Sequence, residues 1–143
     1  MNDSNLDSGF GNNFDSDLDG DFLTAIAQFN GGEYYSCHDT LEEIWHNAWQ
    51  SDRAFYQGIL QIAVGLYHLH NHNWNGAVIL LGEGTSRLPM YLPEYMTINV
   101  EMLLDDSLHL LKTLQQGGKE GLPESLIDIA NGDLRLPKIF IVN

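Results

Sequence analysis

Residues Ala54–Trp74 read AFYQGILQIAVGLYHLHNHNW, and this stretch decides the fold because it contains no Asp, Glu, Lys or Arg. Its apolar residues occupy nearly the whole circumference of a helix, which is typical of a helix buried at the centre of a helical domain. The strip that remains holds Gln57, Gln61 and His68. Amides and an imidazole suit a half-buried position, where each polar group needs a hydrogen-bond partner.

The segment before it, Glu33–Trp49, predicts a second helix whose apolar arc includes Trp45. His38 and Glu42 lie one helical turn apart at the rim of that arc, and Trp49 flanks it. The two tryptophans are therefore predicted to wall a polar pocket together with the amides of the next helix.

The polar residues of these two helices form a candidate metal site. His38 and Glu42 at positions i and i+4 can bind one ion from one helix face, and His68 can complete the set from the neighbouring helix. Such a set suits one divalent ion of Zn, Mn or Fe and leaves positions open for water, so the site could support hydrolysis. Gln57 or Gln61 would then orient the substrate. The structural alternative is a buried hydrogen-bond network of the same side chains without an ion.

The remaining pattern predicts an all-α fold, a compact antiparallel bundle of about five helices with a short C-terminal extension. Residues 1–20 are rich in Asp, Asn, Ser and Gly and are expected to form a flexible acidic tail. Residues 21–117 are expected to form the helical bundle, whose last helix begins after the N-cap residue Asn99. Residues 118–143 are expected to pack on the bundle, with the apolar stretch 139–142 lying over it as a strap.

Composition excludes several classes of partner. The chain has 143 residues, a formal net charge of −14 and only six Lys and Arg. Nucleic acid and anionic membrane surfaces are therefore poor partners. A small molecule is a candidate ligand for the polar pocket. Cys37 is the single cysteine, which fits a reducing cytoplasm, and it is expected to be a core thiol. The sequence leaves open whether the chain forms a homo-oligomer.

Several strings of the sequence resemble the domain of unknown function 309 family over roughly residues 20–117. The centre of the resemblance is an H-x-x-x-E-x-x-W element formed by His38, Glu42 and Trp45. The strings that carry it are FNGGEY from residue 29, CHD from residue 37, LEEIW from residue 41, FYQGILQIAV from residue 55, YH from residue 67, NGA from residue 75, INV from residue 98 and LL from residue 103. The resemblance implies a compact all-helical domain, sometimes labelled a predicted metal-dependent hydrolase without an established reaction.

Two functions remain open from the sequence. The first is a metal-dependent hydrolase that acts on a small molecule at the polar site. The second is a non-enzymatic binding or scaffold module, in which the His, Glu and Gln cluster is a structural hydrogen-bond network. No residue is assigned a catalytic role beyond the candidate ligands, and metal content would separate the two functions.

Overall fold

The computed structural model describes residues 20–143, and these form six α-helices, two short 3-10 helices and one small hairpin. The helices are α1 (Gly20–Asn30), α2 (Tyr34–Asn47), α3 (Gln50–His70), α4 (Trp74–Arg87), α5 (Val100–Gly117) and α6 (Leu122–Ala130). The hairpin pairs β1 (Glu94–Tyr95) with β2 (Ile98–Asn99) in antiparallel register. The predicted all-α class is confirmed, because the hairpin is the sole sheet within the described residues.

Helix α3 is the central helix, as the charge-free stretch predicts. One set of its side chains is fully buried and packs on the neighbouring helices: Phe55, Ile59, Ile62, Ala63 and Leu66. Gly58 and Gly84 bring the backbones of α3 and α4 together, since a Cβ placed on Gly84 would lie only 2.7 Å from the Gly58 carbonyl oxygen. The space that Gly58 leaves is thus filled by the backbone of a neighbouring helix.

The helix ends follow local signals in the sequence. Gly32 adopts φ +78° directly after α1, a conformation that glycine reaches without steric cost. The Asn99 side chain accepts a hydrogen bond from the Met102 N–H at 3.0 Å and caps α5 as expected. Helix α2 ends earlier than predicted, at Asn47, because Ala48 is extended with ψ 152°. This early end moves Trp49 off the face that a longer helix would have given it.

The C-terminal segment is tied to α1 and to the hairpin. The Asn30 side chain donates to the Ile139 carbonyl oxygen at 2.8 Å and accepts from the Ile139 N–H at 2.7 Å, so one amide satisfies both backbone groups. Ile141 then forms an antiparallel bridge with Ile98 of β2. Leu134 and Ile139 are buried in the same core as the helices. This segment therefore packs on the bundle and adds a strand-like edge to the hairpin.

Other sequence predictions have different outcomes. The acidic tail lies outside the described residues except for Gly20, which begins α1. The division into a bundle over residues 21–117 and an extension over 118–143 stays a prediction. Within residues 20–143, no helix has the length and apolar character needed to cross a membrane.

Candidate functional site

A cleft of about 140 Å³ lies between α2 and α3. Its walls are mostly aromatic and imidazole rings from the N-terminal half of α2 and the C-terminal half of α3: Tyr34, Tyr35, His38, Val64, Tyr67 and His68. The three residues from each helix are spaced so that they share one helix face. The cleft is thus built by two neighbouring faces of adjacent helices, and two sequence-predicted residues, His38 and His68, line it together.

Tyr35 and Tyr67 form the exposed rim of the cleft. Their ring centroids are 5.6 Å apart, and the Tyr35 ring also stacks on His38 at 6.2 Å. Tyr35 is 62% exposed and Tyr67 is 39% exposed, which is unusual for large aromatic side chains. A second, wider depression shares both tyrosines and extends to Glu33 and His70 at the helix ends. The rim therefore offers aromatic surface to a ligand on two sides.

Tyr34 forms the floor of the cleft and is buried. It is only 2% exposed, and its hydroxyl has no hydrogen-bond partner among the described residues. Burial, together with the nearby Cys37 side chain, raises the pKa of Tyr34 to about 12. Burial alone raises the pKa of Cys37 to about 12, and this thiol donates to the Ala25 carbonyl oxygen at 3.4 Å. Cys37 is therefore an inert core thiol, as its position on the apolar arc predicts.

His38, Asp39 and Glu42 form a cluster of metal-type donors at the edge of the cleft. One ligand atom from each lies within 4.8 Å of the other two. His38 Nδ1 is 3.3 Å from a carboxylate oxygen of Asp39, while Asp39 and Glu42 are exposed. All three residues belong to α2, so their side chains can converge without any movement of the helices. His38 is the member that also lines the cleft.

His68 lines the cleft but does not belong to the donor cluster. Its Nδ1 lies 3.3 Å from the Asn73 side-chain nitrogen, and its ring packs on Gly76 at the start of α4. Its assignment as a metal ligand therefore gains no support from these contacts and stays a prediction. Asp39, which the helical pattern turns toward water, occupies the third donor position instead.

The two glutamines lie outside the walls of the cleft. The Gln61 amide oxygen accepts from Arg87 Nε at 2.8 Å, and its nitrogen donates to a Glu83 carboxylate oxygen at 3.2 Å. Both partners belong to α4, so Gln61 ties α3 to α4. Gln57 is half-buried one turn earlier and is not among the lining residues. The substrate-orienting role assigned to these amides stays a prediction.

The two tryptophans also lie outside the cleft. Trp45 is partly buried against the core, and the Arg53 guanidinium lies 4.7 Å from its ring centroid. Trp49 is 81% exposed at the N-cap of α3. Its predicted place beside His38 assumed that α2 continued to residue 49, whereas the helix ends at Asn47. Neither ring is among the lining residues of the cleft.

Sequence reasoning missed the tyrosines and Val64 as cleft residues. The helical pattern does not identify Tyr35 and Tyr67 as a pair. A signal was present, because Tyr67 directly precedes His68 and Tyr35 lies three residues before His38. That signal becomes specific only when the pairing of α2 with α3 is known.

Comparison with known proteins identifies the segment that carries the cleft. The family model described as domain of unknown function (DUF309) matches residues 22–80. The uncharacterized protein YpuF of Bacillus subtilis (strain 168) is 31% identical over 62 residues, which is 42% of this chain. The matched part is 36% of the length of YpuF, so the chain spans about a third of that relative. No solved structure matches the chain significantly. The similarity to the DUF309 family model therefore covers both walls of the cleft.

Proposed function

We propose that the cleft between α2 and α3 is the functional site and that the domain is a metal-dependent hydrolase of a small molecule. The proposal rests mainly on His38, which lines the cleft and also belongs to the donor cluster with Asp39 and Glu42. A ligand in the cleft would therefore contact the side chain that can hold an ion. The exposed carboxylates of Asp39 and Glu42 favour a cation at this edge of the cleft.

The donor set fits a divalent ion. One imidazole and two carboxylates suit Zn, Mn or Fe, and three protein ligands leave coordination positions open. The donor atoms lie within 4.8 Å of one another, and the exposed carboxylates of Asp39 and Glu42 can rotate to close that spacing. When bound, such an ion supplies Lewis-acid polarisation and makes a coordinated water more acidic.

The other lining residues would bind and orient the substrate. Tyr34 and Val64 offer apolar surface, and Tyr35 and Tyr67 offer aromatic rings on which a planar group can stack. A cleft of about 140 Å³ holds the volume of roughly four or five water molecules. The site therefore suits a small reacting group whose remainder extends over the tyrosine rim.

Matched variants of two adjacent carboxylates test the proposal. Protein purified without a histidine tag is analysed for metal by plasma mass spectrometry, as wild type, His38→Ala, Glu42→Gln and Glu43→Gln. Glu42 and Glu43 are both exposed on α2, but only Glu42 belongs to the donor cluster. We expect about one equivalent of metal in the wild type and in Glu43→Gln, and loss of metal in the other two variants.

Activity is then measured on neutral p-nitrophenyl esters with the same four proteins. Hydrolysis that needs metal and is lost in Glu42→Gln but kept in Glu43→Gln supports the proposal. Equal metal content in Glu42→Gln and Glu43→Gln, or no metal in any of the proteins, would contradict it.

The second candidate function is a non-enzymatic binding or scaffold module. It is favoured by the contacts of Gln61, which joins Glu83 and Arg87 in a network that holds α3 to α4. It is also favoured by the exposed rings of Tyr35 and Tyr67, which need no ion to bind a partner. A protein without metal, in which His38→Ala strongly lowers the free energy of unfolding, would support this function instead.

A further inference from the structure

The side chain of Asn73 contacts both the start of α4 and the ring of His68. Asn73 is the N-cap of α4, and its side-chain oxygen accepts a hydrogen bond from the Gly76 N–H at 3.0 Å. This bond fixes which end of the amide is oxygen, because only the oxygen can accept. The amide nitrogen is therefore the atom that lies 3.3 Å from His68 Nδ1.

The amide nitrogen can only donate, so His68 Nδ1 must accept. A neutral imidazole carries its proton on one ring nitrogen, and an accepting Nδ1 leaves that proton on Nε2. The Asn73 N–H also donates to the His68 carbonyl oxygen at 2.8 Å, which keeps the two residues next to each other. The tautomer itself follows from the side-chain contact alone.

The contacts of the His68 ring with Asn73 and Gly76 are made by Nδ1, Cγ and Cδ2, which leaves the Nε2 edge for the cleft. A Cβ placed on Gly76 would lie 2.6 Å from His68 Cγ and 2.8 Å from Cδ2, so this side of the ring packs tightly on α4. Nδ1 faces Asn73, and the Cε1–Nε2 edge is the part that remains for the cleft that His68 lines. No described residue accepts a hydrogen bond from Nε2.

We propose that Asn73 is a positioning residue that fixes the Nε2-protonated tautomer of His68, so that the cleft presents an N–H donor to a carbonyl oxygen of its ligand. This inference rests on the proposed function for the location of the ligand, but the tautomer itself is independent of any metal. A neutral histidine donor polarises a carbonyl group in other enzymes. A neutral ester or amide supplies such a carbonyl oxygen, and in the metal-free protein Asp39 and Glu42 at the edge of the cleft would repel an anion.

The variant Asn73→Asp reverses the hydrogen bond while it keeps the cap. Aspartate is as good an N-cap as asparagine, and its charge is favourable at a helix N-terminus. A carboxylate has no proton to donate and can only accept, so it favours the tautomer of His68 in which Nδ1 is protonated and Nε2 is not. Asn75→Asp is the matched control, since Asn75 is exposed in the first turn of the same helix and its substitution introduces the same charge.

The tautomer is measured by long-range nitrogen–proton spectra of the histidine rings at about pH 8, where imidazole is neutral in water, in metal-free protein. His68 is assigned with the His68→Gln variant. We expect a protonated Nε2 in the wild type and in Asn75→Asp, and a shift of roughly tenfold or more in the tautomer ratio toward protonated Nδ1 in Asn73→Asp. An unprotonated Nε2 in the wild type overturns the proposal, and so does the same tautomer in wild type and a folded Asn73→Asp. The wild-type spectrum shows whether Nε2 of His68 is protonated even if the Asn73→Asp variant fails to fold.

The ligand class is tested with N-methylacetamide as a small neutral amide. Its addition should shift the His68 Nε2 and its proton in the wild type, and this response should be lost in Asn73→Asp. An unchanged His68 resonance at the solubility limit of the amide overturns the carbonyl assignment. All of these spectra are recorded without metal, so a failure of metal binding, which contradicts the proposed hydrolase, leaves the tautomer result intact.

Discussion

The crossing of α3 and α4 predicts opposite effects of the same substitution at two glycines of one helix. A Cβ at Gly84 would lie 2.7 Å from the Gly58 carbonyl oxygen and 2.9 Å from the Ile62 backbone nitrogen. Carbon–oxygen contacts between backbones are ordinarily about 3.3 Å or longer, so Gly84→Ala forces these helices about 0.6 Å apart. A Cβ at Gly82, two residues earlier, meets no atom within 4 Å.

The magnitudes follow from two opposing terms. Replacing glycine by alanine inside a helix stabilises by about 1 kcal/mol, and this gain applies at both positions. Overpacking against backbone costs about 2 to 3 kcal/mol, and this cost applies only at Gly84. We therefore expect Gly82→Ala to raise the free energy of unfolding by up to about 1 kcal/mol and Gly84→Ala to lower it by about 1 to 2 kcal/mol.

Urea denaturation followed by circular dichroism measures both variants against the wild type. The difference between the variants, about 2 to 3 kcal/mol, isolates the steric term because the helix propensity cancels. Two equally stable variants, or a Gly84→Ala protein more stable than the wild type, would refute the close crossing of α3 and α4.

Three further predictions concern the floor of the cleft and the C-terminal segment. Tyr34→Phe removes a buried hydroxyl without a partner among the described residues and should raise the free energy of unfolding, measured by urea denaturation, by about 1 kcal/mol. Substitution of the exposed Tyr35 by Phe should leave the free energy of unfolding nearly unchanged. A marked loss of stability in Tyr34→Phe would mean that the hydroxyl is hydrogen-bonded. Asn30→Ala leaves both backbone groups of Ile139 without their amide partner and should lower the free energy of unfolding by about 1 to 3 kcal/mol. Hydrogen exchange in residues 139–142 should become faster. Unchanged exchange would contradict the role of the two Asn30 hydrogen bonds in holding this segment. Burial raises the pKa of Cys37 from 9.0 to about 12 and that of Tyr34 from 10.0 to about 12, so the stability they contribute is complete below pH 9 and is lost as the pH rises toward 12. Urea midpoints that stay constant or rise over this range would show that these groups are not buried as neutral species.

The sequence predicts the helices well because each is specified by local signals. The charge-free stretch of α3, the glycine pair after α1 and the Asn99 cap each act within one or two turns, and all three are found in the structure. The hairpin was missed, since strands of two residues are too short to show alternation. Ile141, more than forty positions away, forms a bridge with Ile98 of the hairpin. No local pattern reports such a contact.

The site was predicted only in part, because a helical wheel gives the face of a residue but not the helix that covers it. His38 and His68 do line one cleft. Gln61 lies on the same strip as His68, yet α4 supplies its partners. Trp49 does not lie on the predicted face of α2, because this helix ends at Asn47. Which face meets which neighbour is a property of packing, and it decides the chemistry of each side chain.

Anomalous scattering from crystals grown with Zn²⁺ or Mn²⁺ tests the central proposal most directly. The account predicts one strong peak at the edge of the cleft, about 2.0 to 2.2 Å from a ring nitrogen of His38 and from a carboxylate oxygen of Glu42, with Asp39 as a further ligand. The peak should vanish in crystals of Glu42→Gln and persist in those of Glu43→Gln. Absence of a peak at His38, or a dominant peak elsewhere such as the depression beside His109 and Asp133, would contradict the account.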